Sequence, residues 1–109
     1  MRGIVTLCGS VRFKKHFDEV SRDLTLWRYV VLQPGVWEHN RLHLQAGISD
    51  KMNLDKLHLE KIDMSDSIVV INPHGYIGTS TQRELDYAKK NSKIIYDLND
   101  YWILEKRGL

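Results

Sequence analysis

A single cysteine, Cys8, leaves no internal disulfide to be made. Such a chain suits a reducing compartment. Excess charge of one sign is also missing. The formal charge is only +2, too little to argue for a nucleic-acid or anionic-membrane surface. Long apolar runs are absent as well. Stretches such as YVVL at 29–32 and IVVI at 68–71 fall far short of the roughly 20 residues that a membrane helix needs. Arg2 and Gly3 lead straight into a strand-like run, without the layout of a secretion signal. No internal repeat or low-complexity tract is visible. These absences predict a cytoplasmic protein with no membrane or nucleic-acid partner. A length of 109 residues predicts one domain, 1–109, around a single core.

What is there is alternation. Ile4 to Cys8 is short, apolar and β-branched, as expected of a parallel-sheet strand buried on both faces. Gly9-Ser10 breaks it. From Val11 to about Trp27 the spacing of Phe13, Phe17, Val20, Leu24 and Trp27 predicts a helix with one apolar stripe. Tyr29 to Leu32 is a second strand, ended by Gln33-Pro34-Gly35. Gly35 to Ser49 has weak periodicity, and a connection of that length is often functional. A second helix is expected from about Asp50 to Met64, with Leu54, Leu57, His58 and Ile62 inward. Ile68 to Ile71 is a third strand, Ser80 to Asn91 a third helix and Lys93 to Tyr96 a fourth strand. Tyr101, Trp102, Ile103 and Leu104 give the tail enough apolar surface to dock as a short helix or turn.

The order β-α-β-α-β-α-β implies an α/β fold. It predicts a parallel sheet between helices, with right-handed crossovers. The expected strand order is 2-1-3-4, a flavodoxin-like (Rossmann-like) three-layer sandwich with a short C-terminal tail. Its switch point lies between the first and third strands. Two informative loops meet there. One holds Gly9, Ser10 and Arg12. The other runs from Asn72 through Gly78, Thr79 and Ser80 to Thr81. These are the candidate ligand-binding residues. Hydroxyls, a guanidinium and free helix-start amides suit a phosphate. Ser10 can equally be an N-cap and Arg12 a solvated first-turn residue. Cys8 reads as a small buried strand residue rather than a nucleophile.

Glu84 has two readings. Thr81-Gln82-Arg83-Glu84 fits a capping box, in which the Glu serves the helix start. It can instead be the catalytic carboxylate, since Thr79 and Ser80 are also available as caps. His39 and His43, four residues apart, have metal-ligand spacing if helical. No third ligand is evident nearby, and they read as an ordinary loop.

TLCGSVRF, the helix end Asp63-Met64-Ser65-Asp66, the strand SIVVIN and GTSTQRELDYAKK together resemble the nucleoside 2-deoxyribosyltransferase-like superfamily. The motifs come in that family's order and spacing, and the likeness runs to about Tyr96. The group includes transferases and nucleoside 5′-monophosphate N-glycosidases. The resemblance implies N-glycosidic cleavage or transfer on a nucleotide or nucleoside, without metal or cofactor. It also implies a homodimer or higher homo-oligomer. It makes Glu84 the nucleophile, places the 5′-phosphate on Ser10 and Arg12, and draws a hydroxyl from Ser80 or Thr81. The chemistry implied is the retaining route through a glycosyl-enzyme.

One position departs from the pattern. The family carries an Asp eight residues before the one preceding the third strand, and here that position is His58. Eight helical residues span roughly 12 Å, which returns His58 toward the ligand end. It can take over orientation or proton transfer, or it can be an inward core histidine in a protein that binds without cutting. Asp55 is the other replacement for the missing carboxylate. The chain also lacks the transferases' later strand and C-terminal segment, which in the family help complete a neighbouring site. The alternative function is a non-catalytic nucleotide- or phosphosugar-binding module.

Overall fold

The structure is a computed structural model that describes residues 1–37 and 47–107. Four strands, β1 Ile4–Gly9, β2 Val30–Leu32, β3 Ser67–Ile71 and β4 Ile94–Tyr96, form one sheet. Its order is β2-β1-β3-β4, with every pair parallel. Cys8 stands opposite Val70 and Gly9 opposite Ile71. The expected α/β topology is therefore the observed one. β3 is buried at all five positions, as a central strand covered on both faces must be.

The helices are α1 Lys14–Leu26, α2 Gly47–Asp63 and α3 Thr79–Lys90. The β1–α1 connection is a 3-10 turn, Val11–Phe13, so the first helix proper starts later than its apolar stripe suggests. Alternation along the strands separates two cores. Val5, Leu7, Val69 and Ile71 pack with Phe17, Val20 and Leu24 of α1. Cys8, Ile68 and Val70 face Ile62 of α2 and Leu85 and Ala88 of α3. This gives helices on both faces, a three-layer sandwich.

Two expectations about α2 need correction. It begins at Gly47, three residues before the expected start. Leu57 is half exposed rather than inward, whereas His58 and Ile62 are buried. One residue step turns a helix by about 100°, which carries Leu57 off the stripe that His58 and Ile62 share. The tail docks as expected, through a 3-10 turn at Tyr101–Glu105 that buries Leu104. The Tyr29 hydroxyl donates to the Leu104 carbonyl at 2.6 Å.

Gly9 shows how closely β1 and β3 meet at the ligand end. A Cβ there would lie 2.8 Å from the Ile71 carbonyl oxygen and 2.9 Å from the Ile71 Cβ. Both atoms belong to a central strand and cannot move cheaply. Gly9→Ala is expected to destabilise the fold by about 1–3 kcal/mol, the usual cost of overpacking. Urea unfolding of the two proteins measures it, and an unchanged midpoint would contradict the close approach.

Candidate active site

The β3–α3 connection turns sharply at Pro73–Gly75, where His74 and Gly75 both have positive φ (56° and 77°). The chain then reaches Gly78, the N-cap of α3, with extended dihedrals and no side-chain capping bond. Thr79, Ser80 and Thr81 are consequently the first three helical residues, and none of them is the cap. Glu84 falls at the sixth position, beyond the third-position Glu that a capping box requires. The capping reading of Glu84 is thereby overturned. The first amides of α3 have no partner within the helix and point out of its start.

Glu84 instead turns in toward the end of the sheet. A carboxylate oxygen of Glu84, an imidazole nitrogen of His58 and Sγ of Cys8 all lie within 4.8 Å of one another. They arrive from three elements: α3, α2 and the carboxyl end of β1. His58 and Cys8 are buried, with relative exposures of 7% and 0%. The Glu84 side chain retains 17%. The His58 Nε2 to Glu84 Oε1 distance is 3.7 Å, too long for a hydrogen bond. Among the described residues Nε2 is buried without a hydrogen-bond partner.

Burial sets the protonation states. It lowers the His58 pKa to about 4, assisted by the positive charge of Lys61 and opposed by Asp55 and the Leu7 backbone. It raises the Glu84 pKa to about 7, assisted by Asp55 and opposed by the Cys8 thiol, Arg83 and Lys51. Cys8 is pushed well above the usual thiol range by burial and then by Glu84. Near neutrality the thiol is protonated, the imidazole is neutral and the carboxyl is shared between its two forms. Nε2 faces the Glu84 carboxyl with no hydrogen-bond partner among the described residues, and the lone pair of the neutral imidazole is assigned to it. A pKa near 4 makes His58 a weak base at neutral pH. Its chemistry here is orientation through that lone pair rather than proton storage.

The first loop approaches the same end from the other side. Ser10 occupies the N-cap position of the 3-10 turn, but its hydroxyl makes no capping bond. The Arg12 guanidinium lies 4.2 Å from the centroid of the Tyr76 ring, a cation–π stack. Phe13 meets the same ring edge-on at 5.7 Å. The Tyr76 hydroxyl lies 3.3 Å from where a Gly78 Cβ would stand. Tyr76 thus links the Arg12 loop to the start of α3.

The remaining candidates are placed less uniformly. Thr79 and Ser80 are exposed, and the Ser80 hydroxyl accepts from Arg83 at 3.3 Å. Thr81 is buried, with a relative exposure of 4%, on the inward face that carries Leu85 and Ala88. The Asn72 side-chain carbonyl accepts from the Leu98 amide at 3.3 Å and so ties down the C-terminal segment. Asp55 is exposed and paired with Lys51 at 3.2 Å. His39 and His43 lie outside the described residues. A cavity of about 150 Å³ lies at the opposite end of the sheet, lined by residues including Gly3, Tyr29, Asp66 and Arg107, and takes no part in this site.

Two members of the site are not evident from motif spacing. Cys8 is the last β1 residue on the α2–α3 face, and strand alternation from Thr6 was the signal available for it. Tyr76 is a loop aromatic with no periodic context. Compared with family models, with curated proteins and with solved structures, the chain has no match.

Proposed function

We propose that the protein cleaves or transfers an N-glycosidic bond of a nucleotide or nucleoside, with Glu84 as nucleophile. The observation that carries this reading is the Glu84 carboxyl. It is largely buried and free of any capping role, and it lies beside the buried His58 at the carboxyl end of the central strands. The resemblance of GTSTQRELDYAKK to the deoxyribosyltransferase-like pattern supports the same assignment. Ionised Glu84 attacks the anomeric carbon as the bond to the base breaks, and the base leaves with the bonding electron pair. The resulting glycosyl ester is resolved by water or by a second base. The Nε2 lone pair of His58 faces the carboxyl at 3.7 Å without a hydrogen bond, and the ionised form attacks. A second copy of the chain would cover the outer surface of α2, where Met52 and Leu57 are exposed. The test is chromatographic detection of free base from a panel of nucleosides and nucleoside monophosphates. Base release supports the enzyme. Binding of several panel members without release supports the non-catalytic module, the reading that a carboxyl half protonated at neutral pH favours.

Phosphate recognition belongs on the same reading to Ser10 and Arg12, with the guanidinium oriented by Tyr76. Arg12→Ala is expected to weaken a nucleoside monophosphate by about ten- to a hundredfold, the value of a charge-assisted contact. The parent nucleoside should be unaffected. Calorimetry on both ligands decides the point, and equal binding of monophosphate and nucleoside by the unaltered protein would sink it.

A further inference from the structure

We propose that Cys8, His58 and Glu84 form a binding site for one borderline-soft divalent transition ion, zinc foremost, with its fourth position open to water. Three different ligand types converge from three elements, and their donor atoms lie within 4.8 Å of one another. The His58 side chain is more than nine-tenths buried, and its Nε2 lies 3.7 Å from Glu84 Oε1 with no hydrogen-bond partner among the described residues. A tetrahedral ion with bonds of about 2.1 Å sets its ligand atoms about 3.4 Å apart. The observed Nε2–Oε1 separation of 3.7 Å is close to that edge. The zinc–sulfur bond is longer, about 2.3 Å, and the thiol lies within the same 4.8 Å bound.

Charge also fits. A thiolate and a carboxylate together neutralise a dication, and the imidazole binds as the neutral ligand that His58 already is. The loaded site carries no net charge, which a buried site requires. Sulfur and imidazole select zinc or cobalt over magnesium and calcium, which demand oxygen. Loading removes the thiol proton and whatever proton Glu84 holds, so about one to two protons are released per ion. The proposal does not depend on the glycosidase reading. If both hold, the ion takes the Glu84 carboxylate away from the anomeric carbon, and the metal-bound form is inactive.

Cobalt(II) titration of the chelator-washed 109-residue chain, kept reduced, tests the site directly. A thiolate-to-cobalt charge-transfer band and strong visible bands of four-coordination should saturate at one ion per chain. Zinc should bleach them, magnesium should leave them unchanged, and protons should be released. The chain has one cysteine, so a charge-transfer band assigns Cys8 even without a variant. Cys8→Ser should abolish the band. His58→Leu and Glu84→Gln should each weaken binding by about tenfold or more, with circular dichroism confirming that each is folded. A titration without the charge-transfer band, or visible bands that a folded His58→Leu or Glu84→Gln protein retains at the original affinity, would overturn the proposal. The outcome is independent of the base-release assay, so failure of one reading is distinguishable from failure of the other.

Discussion

Replacing Glu84 by glutamine is expected to lower base release by roughly 10⁴-fold or more, the scale on which loss of a nucleophile acts. Ligand binding should survive. The amide keeps the shape of the protonated carboxyl, but it cannot form the glycosyl ester. Because Glu84 caps nothing, the substitution removes no helix-start bond, and the variant should be at least as stable as the original above pH 7. The unaltered protein should show a matching pH profile. The nucleophile must be ionised and its pKa is held at about 7, so kcat/KM should climb with pH through that value and then level. Base release by the two proteins across pH 5.5–8.5 measures both effects. If Glu84→Gln releases base at the original rate, the carboxyl is not the nucleophile. A profile already flat at pH 6 would mean that the carboxylate works in its ordinary ionised range.

The parts of this fold that alternate were legible, because periodicity reports burial directly. Four apolar, β-branched runs separated by helical stripes give the 2-1-3-4 sheet, and a continuously buried strand such as β3 can be read without any contact information. Leu57 was misread because α2 carries apolar residues on more than one face, so an exposed leucine looks like a stripe member. The start of α3 was misread because Thr79, Ser80 and Thr81 are all good caps on local propensity. The chain instead enters the helix through Gly78, held in extended dihedrals. That shift of a few residues decides whether Glu84 caps the helix or faces the site. Of the site itself, Ser10, Arg12, His58 and Glu84 stand out by residue type and place in the order of elements. Cys8 and Tyr76 do not, since their roles arise from contacts between distant segments: β1 with α2 and α3, and the first loop with the third.

His58 and Glu84 should act on stability in opposite directions over nearly the same pH range. Glu84 has its pKa raised from 4.5 to about 7 in the fold. The folded state therefore holds more protons than the unfolded state between those values. Its contribution is fully present below pH 4.5 and is lost as pH rises through 7. His58 is lowered from 6.5 to about 4, so there the unfolded state holds more protons. Stability rises with pH from about 4 and is complete by about 6.5. Each displacement corresponds to about 3 kcal/mol, and between pH 4.5 and 6.5 the two nearly cancel. The protein should then look almost insensitive to pH across that window, as far as this pair is concerned. Glu84→Gln removes one side of the balance. Its stability should climb by about 3 kcal/mol between pH 4 and 6.5 and hold that gain to pH 8, where the original has lost the Glu84 contribution. His58→Leu should do the reverse and lose stability from about pH 4.5 to 7, because Glu84 alone remains. Urea unfolding at half-unit pH steps on the three proteins, with metal removed by chelator, gives the curves. If the three curves run parallel, neither group titrates out of its ordinary range, and the buried pair does not set the protonation chemistry of this site.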